Sequence, residues 1–320
     1  YKEKREVKTM RQSMKRGKEN SYFSDFPGYS RFDYPDYIIR VTGGAGGEAL
    51  LILGSEKTVL YDTGMACFAD NLIYNISLVL DKEKRTLDYV FMSHTHYDHI
   101  GALPYVLKKW PDAVVCGNEK ASRVFRSETA LATMRKLGEA AKKTYGVNHA
   151  KITTDGMRVD KIVKDGDEIP LGDITVRVIE SKGHTDCSLA YYILPEKVLI
   201  ASESTGLLRG PGIIDTAPLK SIDECIASAK RLKNMDYECL ILPHYGVCPY
   251  NYRYDFFDDY IKEQLKEKKL IEDGIAAGLS EEEIFEEHKK RYWPEGRGKA
   301  QPYEAYKMNT EIVIKQLMNR

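Results

Sequence analysis

Three of the chain's seven histidines fall inside one short segment, Ser93-His94-Thr95-His96-Tyr97-Asp98-His99. The apolar run Tyr89–Met92 leads straight into it, and Gly101 follows to open a helical pattern. This feature constrains the fold more than any other. A buried strand has to end where a dense set of imidazoles and a carboxylate is displayed, which places the set on a strand-to-helix loop at an open sheet edge. Alternation along His94-Thr95-His96 sends both imidazoles to one side, where they can share a metal ion. Asp98 and His99 come after the turn and project elsewhere, which suits a second ion. Imidazole with carboxylate fits Zn, Fe or Mn, and the lack of thiolate ligands argues against a closed structural zinc site.

Two further histidines stand in matching contexts. His184 lies in Lys182-Gly183-His184-Thr185-Asp186, after the strand containing Val178-Ile179. His244 lies in Leu242-Pro243-His244-Tyr245-Gly246, again directly after a strand. Glu203, in Ser202-Glu203-Ser204-Thr205-Gly206, follows the strand Val198–Ala201 and supplies a carboxylate to lower the repulsion between two cations. The remaining histidines, His149 in a polar linker and His288 in a charged helix, are expected at the surface.

Between Tyr37 and Leu242 short β-rich runs alternate with helical spacing. Strands are expected at Tyr37–Val41, Ala49–Leu53, Thr58–Tyr61, Leu87–Met92, Ala113–Cys116, Ile174–Ile179, Leu189–Leu194, Val198–Ala201 and Cys239–Leu242. Helices are expected at Asp70–Leu80, Ala102–Trp110 and Ile222–Leu232. Glu119–Thr144 has few strong apolar anchors and reads as an insertion or lid. Beyond Tyr250 the composition shifts to three helical stretches, Phe256–Ile271, Ser280–Tyr292 and Tyr303–Met318. Ser280 with Glu283 marks a capping box. The expected organisation is an N-terminal arm (1–36), an α/β domain (37–246, with a helical insertion or lid at 119–155) and a C-terminal helical extension (247–320).

His-x-His-x-Asp-His after a strand, the upstream Tyr61-Asp62-Thr63-Gly64, Gly183-His184-Thr185, the acidic strand end and the late His244 resemble the metallo-β-lactamase superfamily. The resemblance spans residues 37–246 and implies an α/β fold, an αββα sandwich of two packed mixed sheets flanked by helices. Position by position it implies a first metal on His94, His96 and His184, a second on Asp98, His99 and His244, and Glu203 as the bridging carboxylate. Asp62 would orient a ligand histidine or its loop. Two departures from the family pattern stand out: Glu203 occupies a position where Asp is common, and Asp186-Cys187 replaces the frequent Pro-Gly after Thr185. Cys187 reads as a buried thiol against the sheet.

Two divalent ions sharing a water deprotonate it near neutral pH and polarise a carbonyl or phosphoryl oxygen. The implied activity is therefore a binuclear hydrolase using a metal-bridging hydroxide on a small ester, lactone, thioester or phosphodiester. Zinc is the first choice of metal, with iron or manganese as alternatives. Asp98 is the expected proton shuttle, and Tyr97 and Tyr245 flank ligand positions. Two rival readings are a non-haem iron redox enzyme of the same fold and a metal-binding regulatory protein acting through a partner. Relatives that reduce oxygen usually carry Glu where this chain has His96, and a fused flavin domain.

Composition narrows the partners. With 48 basic and 48 acidic residues the chain gives no general electrostatic argument for nucleic acid, although Tyr1–Asn20 carries eight Lys/Arg against three Glu. No stretch approaches the ~20 apolar residues of a membrane span. Six scattered cysteines without a CxxC pair read as reduced thiols, giving a cytoplasmic expectation. The sequence begins at Tyr1 rather than Met, so a targeting segment removed ahead of it leaves no trace. A small-molecule substrate is expected, and the helical extension is a candidate homodimer face.

Overall fold

Strict alternation in the short strands decides the architecture. In β2 (Leu50–Leu53), Leu50 and Ile52 join one apolar cluster while Leu51 joins another. In β9 (Leu189–Leu194), Leu189, Tyr191 and Ile193 face one way and Ala190 and Tyr192 the other. Strands apolar on both faces must be covered on both faces. The computed structural model describes residues 31–210, 212–295 and 301–319, and there the two requirements are met by two sheets packed together with helices outside each.

The first sheet has the spatial order β1 (Ile38–Arg40), β2, β3 (Thr58–Tyr61), β4 (Tyr89–Phe91), β5 (Val114–Gly117), β6 (Lys161–Ile162). Its first three strands are antiparallel and β3 to β6 are parallel. The second has the order β14 (Gly246–Val247), β13 (Cys239–Leu242), β10 (Val198–Ile200), β9, β8 (Thr175–Glu180), β7 (Glu168–Pro170). It is antiparallel except where β10 runs parallel to β13. Between the sheets lie Leu50, Ile52, Tyr61, Phe91, Val176, Val178, Tyr191 and Ile200. A separate hairpin, β11 (Leu207–Gly210) with β12 (Ile213–Asp215), stands outside both sheets.

Outside the first sheet pack α1 (Ala69–Glu83), α3 (Leu103–Lys109), α4 (Glu119–Phe125) and α5 (Glu128–Thr144), while the one-turn helix α2 (Tyr97–Ile100) sits at the sheet end. α6 (Ile222–Lys233) and the start of α7 (Phe256–Ala276) cover the second sheet through Cys225, Ala229, Leu232, Phe256 and Tyr260. α8 (Glu281–Tyr292), opened by the Ser280–Glu283 capping box, and α9 (Tyr303–Met318) extend this layer through a further core of Ile271, Ile284, Phe285, Val313 and Ile314. No helix among the described residues is long and apolar enough to cross a membrane.

Two sequence expectations need revision. The 119–144 segment does enter the core, through Ala121, Phe125, Met134 and Ala141. Apart from Phe125 its buried anchors are Ala or Met, spread thinly over two helices, which a search for runs of large aliphatics passes over. His288 is buried, not exposed: Ile284 and Phe285 turn that face of α8 inward and carry His288 with them. His149 is exposed as expected. The expected basic N-terminal stretch lies outside the described residues.

The sheets are tied together where β4 ends. Tyr191 stacks on Phe91 (ring centroids 5.3 Å apart) and its hydroxyl donates to the Met92 carbonyl at 2.7 Å. The Leu189 N–H donates to the Ser93 carbonyl at 2.7 Å. Tyr191→Phe keeps the ring but leaves the Met92 carbonyl unpaired in a buried site. A loss of about 1–3 kcal/mol in unfolding free energy is expected by urea denaturation.

Candidate metal centre

Five chain segments deliver the chemical groups to one end of the sandwich. β3 runs into Asp62, β4 into Ser93, His94 and His96, and the single turn of α2 carries Asp98 and His99. His184 follows β8, and Glu203 opens a 3-10 turn (Glu203–Thr205) after β10. His244 sits between β13 and β14. Backbone contacts clamp the clustered loops. The Gly47 N–H donates to the Asp98 carbonyl at 2.9 Å and the Glu48 N–H to the Pro243 carbonyl at 2.8 Å. A β-carbon at Gly47 would fall 2.5 Å from His99 Nδ1, so only glycine allows this approach.

All seven residues singled out in the sequence converge. His94, His96, His184 and Glu203 bring one donor atom each within 4.8 Å of one another, as do Asp98, His99 and His244. His96 Nδ1 faces His184 Nε2 at 2.8 Å, and His99 Nε2 faces His244 Nε2 at 2.9 Å. Glu203 Oε2 lies between the groups, 3.1 Å from His99 Nε2, 3.3 Å from His184 Nε2, 3.5 Å from His94 Nε2 and 3.7 Å from His244 Nε2. Asp98 Oδ2 is 3.7 Å from His244 Nε2 and 3.9 Å from His99 Nε2.

The outward-facing nitrogens explain how the rings are held. Asp62, fully buried, accepts from the Ser93 N–H (2.7 Å), the Ser93 hydroxyl (2.6 Å) and His99 Nδ1 (2.9 Å). Because the Ser93 hydroxyl points its hydrogen at Asp62, its oxygen accepts from His94 Nδ1 at 2.9 Å. His184 Nδ1 donates to the Ala217 carbonyl at 2.7 Å. Three rings are thus fixed from behind through Nδ1, with Nε2 aimed inward. His94 Nε2 is buried and has no hydrogen-bond partner. Inward lone pairs around a carboxylate, one of them orphaned, match the demand of a divalent cation.

The electrostatics agree. Burial, aided by the neighbouring imidazoles, pushes His94 well below the ordinary imidazole value, and burial with His184 brings His96 to about 3. These rings are neutral, the form that coordinates metal. Burial works against charge on His99, but Asp98, Asp62 and Glu203 outweigh it and raise its proton affinity well above normal. Burial likewise opposes ionisation of Glu203, yet His184, His244 and His99 hold its carboxyl well below the usual range. Burial raises Asp62 despite its bonds to His99 and Ser93. Positive charge is welcome at this point in the fold.

The centre opens into a cavity of about 340 Å³. His96, Asp98, His184, Glu203 and His244 line it at one side, and Met134 and Leu137 of α5 with Ala305, Met308 and Ile312 of α9 wall it elsewhere. Tyr97 and Tyr245 also line it. Cys187 is buried, with its sulfur 3.2 Å from Thr185 Oγ1. Two groups that hold the rings were missed in the sequence. Ser93 was readable as a hydroxyl between strand and ligand. The Ala217 carbonyl carries no side-chain signal, although Leu207-Leu208, Gly210-Pro211-Gly212 and Ile213-Ile214 announce the hairpin that delivers it.

Residues 42–244 match the family model of the metallo-beta-lactamase superfamily, and the chain belongs to that superfamily. Its fold binds divalent metal ions, for which the His/Asp/Glu cluster provides. The chain is 27% identical over 240 residues to the metallo-beta-lactamase fold-containing protein ST1585 of Sulfurisphaera tokodaii, covering 71% of this chain and 83% of that protein. The solved structure of ST1585 superposes with a TM-score of 0.52 at 24% identity, over 71% of this chain and 84% of that one. The chain is also 25% identical over 192 residues to the human acyl-coenzyme A thioesterase MBLAC2, covering 57% of this chain and 65% of that protein. It is 30% identical over 156 residues to the rubredoxin-oxygen oxidoreductase of Megalodesulfovibrio gigas, covering 48% of this chain but only 32% of that protein.

Removing Asp62 tests the holding network. Asp62→Ala leaves His99 Nδ1 and the Ser93 donors unpaired in a fully buried place. A stability loss of about 3–5 kcal/mol by denaturation and a ~10–100-fold loss of metal affinity in a chelator competition are expected.

Proposed function

We propose that this chain is a binuclear metal-dependent hydrolase of neutral acyl substrates, an ester, lactone or thioester with an apolar acyl part. The observation that carries the reading is the inward convergence of five imidazoles on Glu203 beside a cavity lined in part by apolar side chains of α5 and α9. His94, His96 and His184 would hold one ion and Asp98, His99 and His244 the other, with Glu203 between them. Zinc suits this donor set, and iron or manganese are the alternatives. Such ions supply, when bound, a water acidified to near neutral pH and polarisation of the scissile carbonyl.

The chain's own groups do the rest. Glu203, ionised among the imidazoles, offsets repulsion between the two cation positions. Asp98 faces the cavity with its carboxylate beside His99 and His244, where it can take a proton and hand it to the leaving group. Met134, Leu137, Met308 and Ile312 hold the acyl part and keep water from it. The activities of relatives, an acyl-coenzyme A thioesterase among them, support hydrolysis generally. The oxidoreductase relative keeps iron redox chemistry as the second reading, and His96, an imidazole where oxygen-reducing relatives usually have Glu, weighs against it. Six free cysteines support a reducing compartment such as the cytoplasm.

Elemental analysis of the purified chain should find two divalent ions, and a panel of lactones, thioesters, esters and phosphodiesters should single out an acyl class. His96→Ala should lower turnover at least ~100-fold with loss of one ion; full metal content in that variant would refute the assignment. Ala130→Phe, which narrows the cavity from α5, should raise KM for a long acyl chain about tenfold or more and leave an acetyl ester unaffected.

A further inference from the structure

The three C-terminal helices bury polar groups in the midst of an apolar contact. Glu267 of α7, His288 of α8 and Tyr306 of α9 are each 5% exposed or less. Glu267 Oε1 pairs with His288 Nε2 at 2.9 Å, and His288 Nδ1 meets the Tyr306 hydroxyl at 2.9 Å. A buried carboxylate is tolerated only when its lone pairs are used. The other oxygen, Oε2, accepts from Thr216 Oγ1 at 2.6 Å and from Gln264 Nε2 at 2.9 Å.

Each of those two bonds starts a short path to the metal centre. Thr216 precedes Ala217, whose carbonyl receives His184 Nδ1 and so turns His184 Nε2 inward. The Ser204 carbonyl at 2.8 Å and Gln264 Oε1 at 3.1 Å both accept from, and so share, the single hydrogen of the Tyr260 hydroxyl. Ser204 follows Glu203 in the same 3-10 turn, and its Oγ accepts the backbone N–H of His184 at 3.0 Å. The Tyr260 ring presses directly on Gly206, where φ is +87° and a β-carbon would fall 2.2 Å from the ring. Two bonds at one oxygen thus lead, through short chains of contacts, to the segments that carry Ala217 and Glu203.

We propose that Glu267, itself fixed by His288 and Tyr306, is a positioning residue for the metal centre, making the C-terminal helices part of its outer support. The proposal rests on His184 and Glu203 being metal ligands. Thr216→Val cuts the path to His184, Tyr260→Phe cuts the path to Glu203, and Glu267→Leu cuts both. Glu267→Gln, which keeps an acceptor of the same shape, serves as the conservative variant. Zn(II) and Co(II) affinities by chelator competition, the visible Co(II) spectrum and the melting temperature of the metal-free chain are to be compared across the set.

Thr216→Val should weaken one ion by ~10–100-fold and alter its Co(II) spectrum, with the other ion unchanged and only a small fall in the metal-free melting temperature from the lost bond to Glu267. Glu267→Leu should do the same or more, and Glu267→Gln should restore part of the affinity. Should Glu267→Leu fail to fold, Thr216→Val and Tyr260→Phe decide the matter. Wild-type affinities and spectra in both would overturn the proposal, while two ions bound by the wild type would leave the hydrolase reading standing. Equal weakening of both ions in step with a fall in melting temperature would also overturn it, as mere destabilisation. A wild-type chain that binds no ion would remove its foundation along with that of the proposed function.

Discussion

Imidazole nitrogens that face one another at 2.8–2.9 Å are in an awkward position, because two lone pairs repel and so do two N–H groups. Such a cluster persists only if the rings are fixed from behind and a positive centre satisfies them in front. The first condition is met by Ser93, Asp62 and the Ala217 carbonyl, each bonded to the nitrogen on the far side of a ring. The second is met electrostatically by Glu203 and Asp98, whose carboxylates favour a cation where the nitrogens meet. The rest of the fold follows from this arrangement. The sheets are tied at the end of β4 by Tyr191 and Leu189, directly before His94, so a bonded joint between the sheets adjoins the candidate site.

Much of this was legible before the structure, for identifiable physical reasons. Alternation in Leu189–Leu194 and the apolar runs at Thr58–Tyr61 and Cys239–Leu242 determine strands because a strand between two layers must be apolar on both faces. The ligand candidates stood out because imidazoles are scarce and each followed such a run. Less legible were groups that act through the backbone. Ala217 contributes a carbonyl, which any residue possesses, and its position depends on a hairpin belonging to neither main sheet. His288 was misplaced because α8 is highly charged, and only the inward turn of Ile284 and Phe285 reveals which face is buried. The anchors of α5 are Met134, Gly138 and Ala141; the last two carry little hydropathy signal but allow close packing.

The two halves of the centre are supported from different parts of the chain. Asp98, His99 and His244 are secured by the glycine-rich loop through Gly47 and Glu48 and by Asp62 at the end of β3, all within the N-terminal half of the sandwich or directly bonded to it. His184 and Glu203 are secured from the opposite direction, by the β11–β12 hairpin and the C-terminal helices. This asymmetry matters for function because the cavity is also built from the second set: α9 walls it, and Thr216, Glu267, His288 and Tyr306 line it. The proposed acyl group lodged there would touch Thr216 and Glu267, which lie behind His184, as well as Asp98 and His244 of the other group. On the proposed reading, contact with a substrate and the aim of His184 would be linked through the C-terminal helices, whereas Asp98 and His99 are held by the N-terminal half of the sandwich.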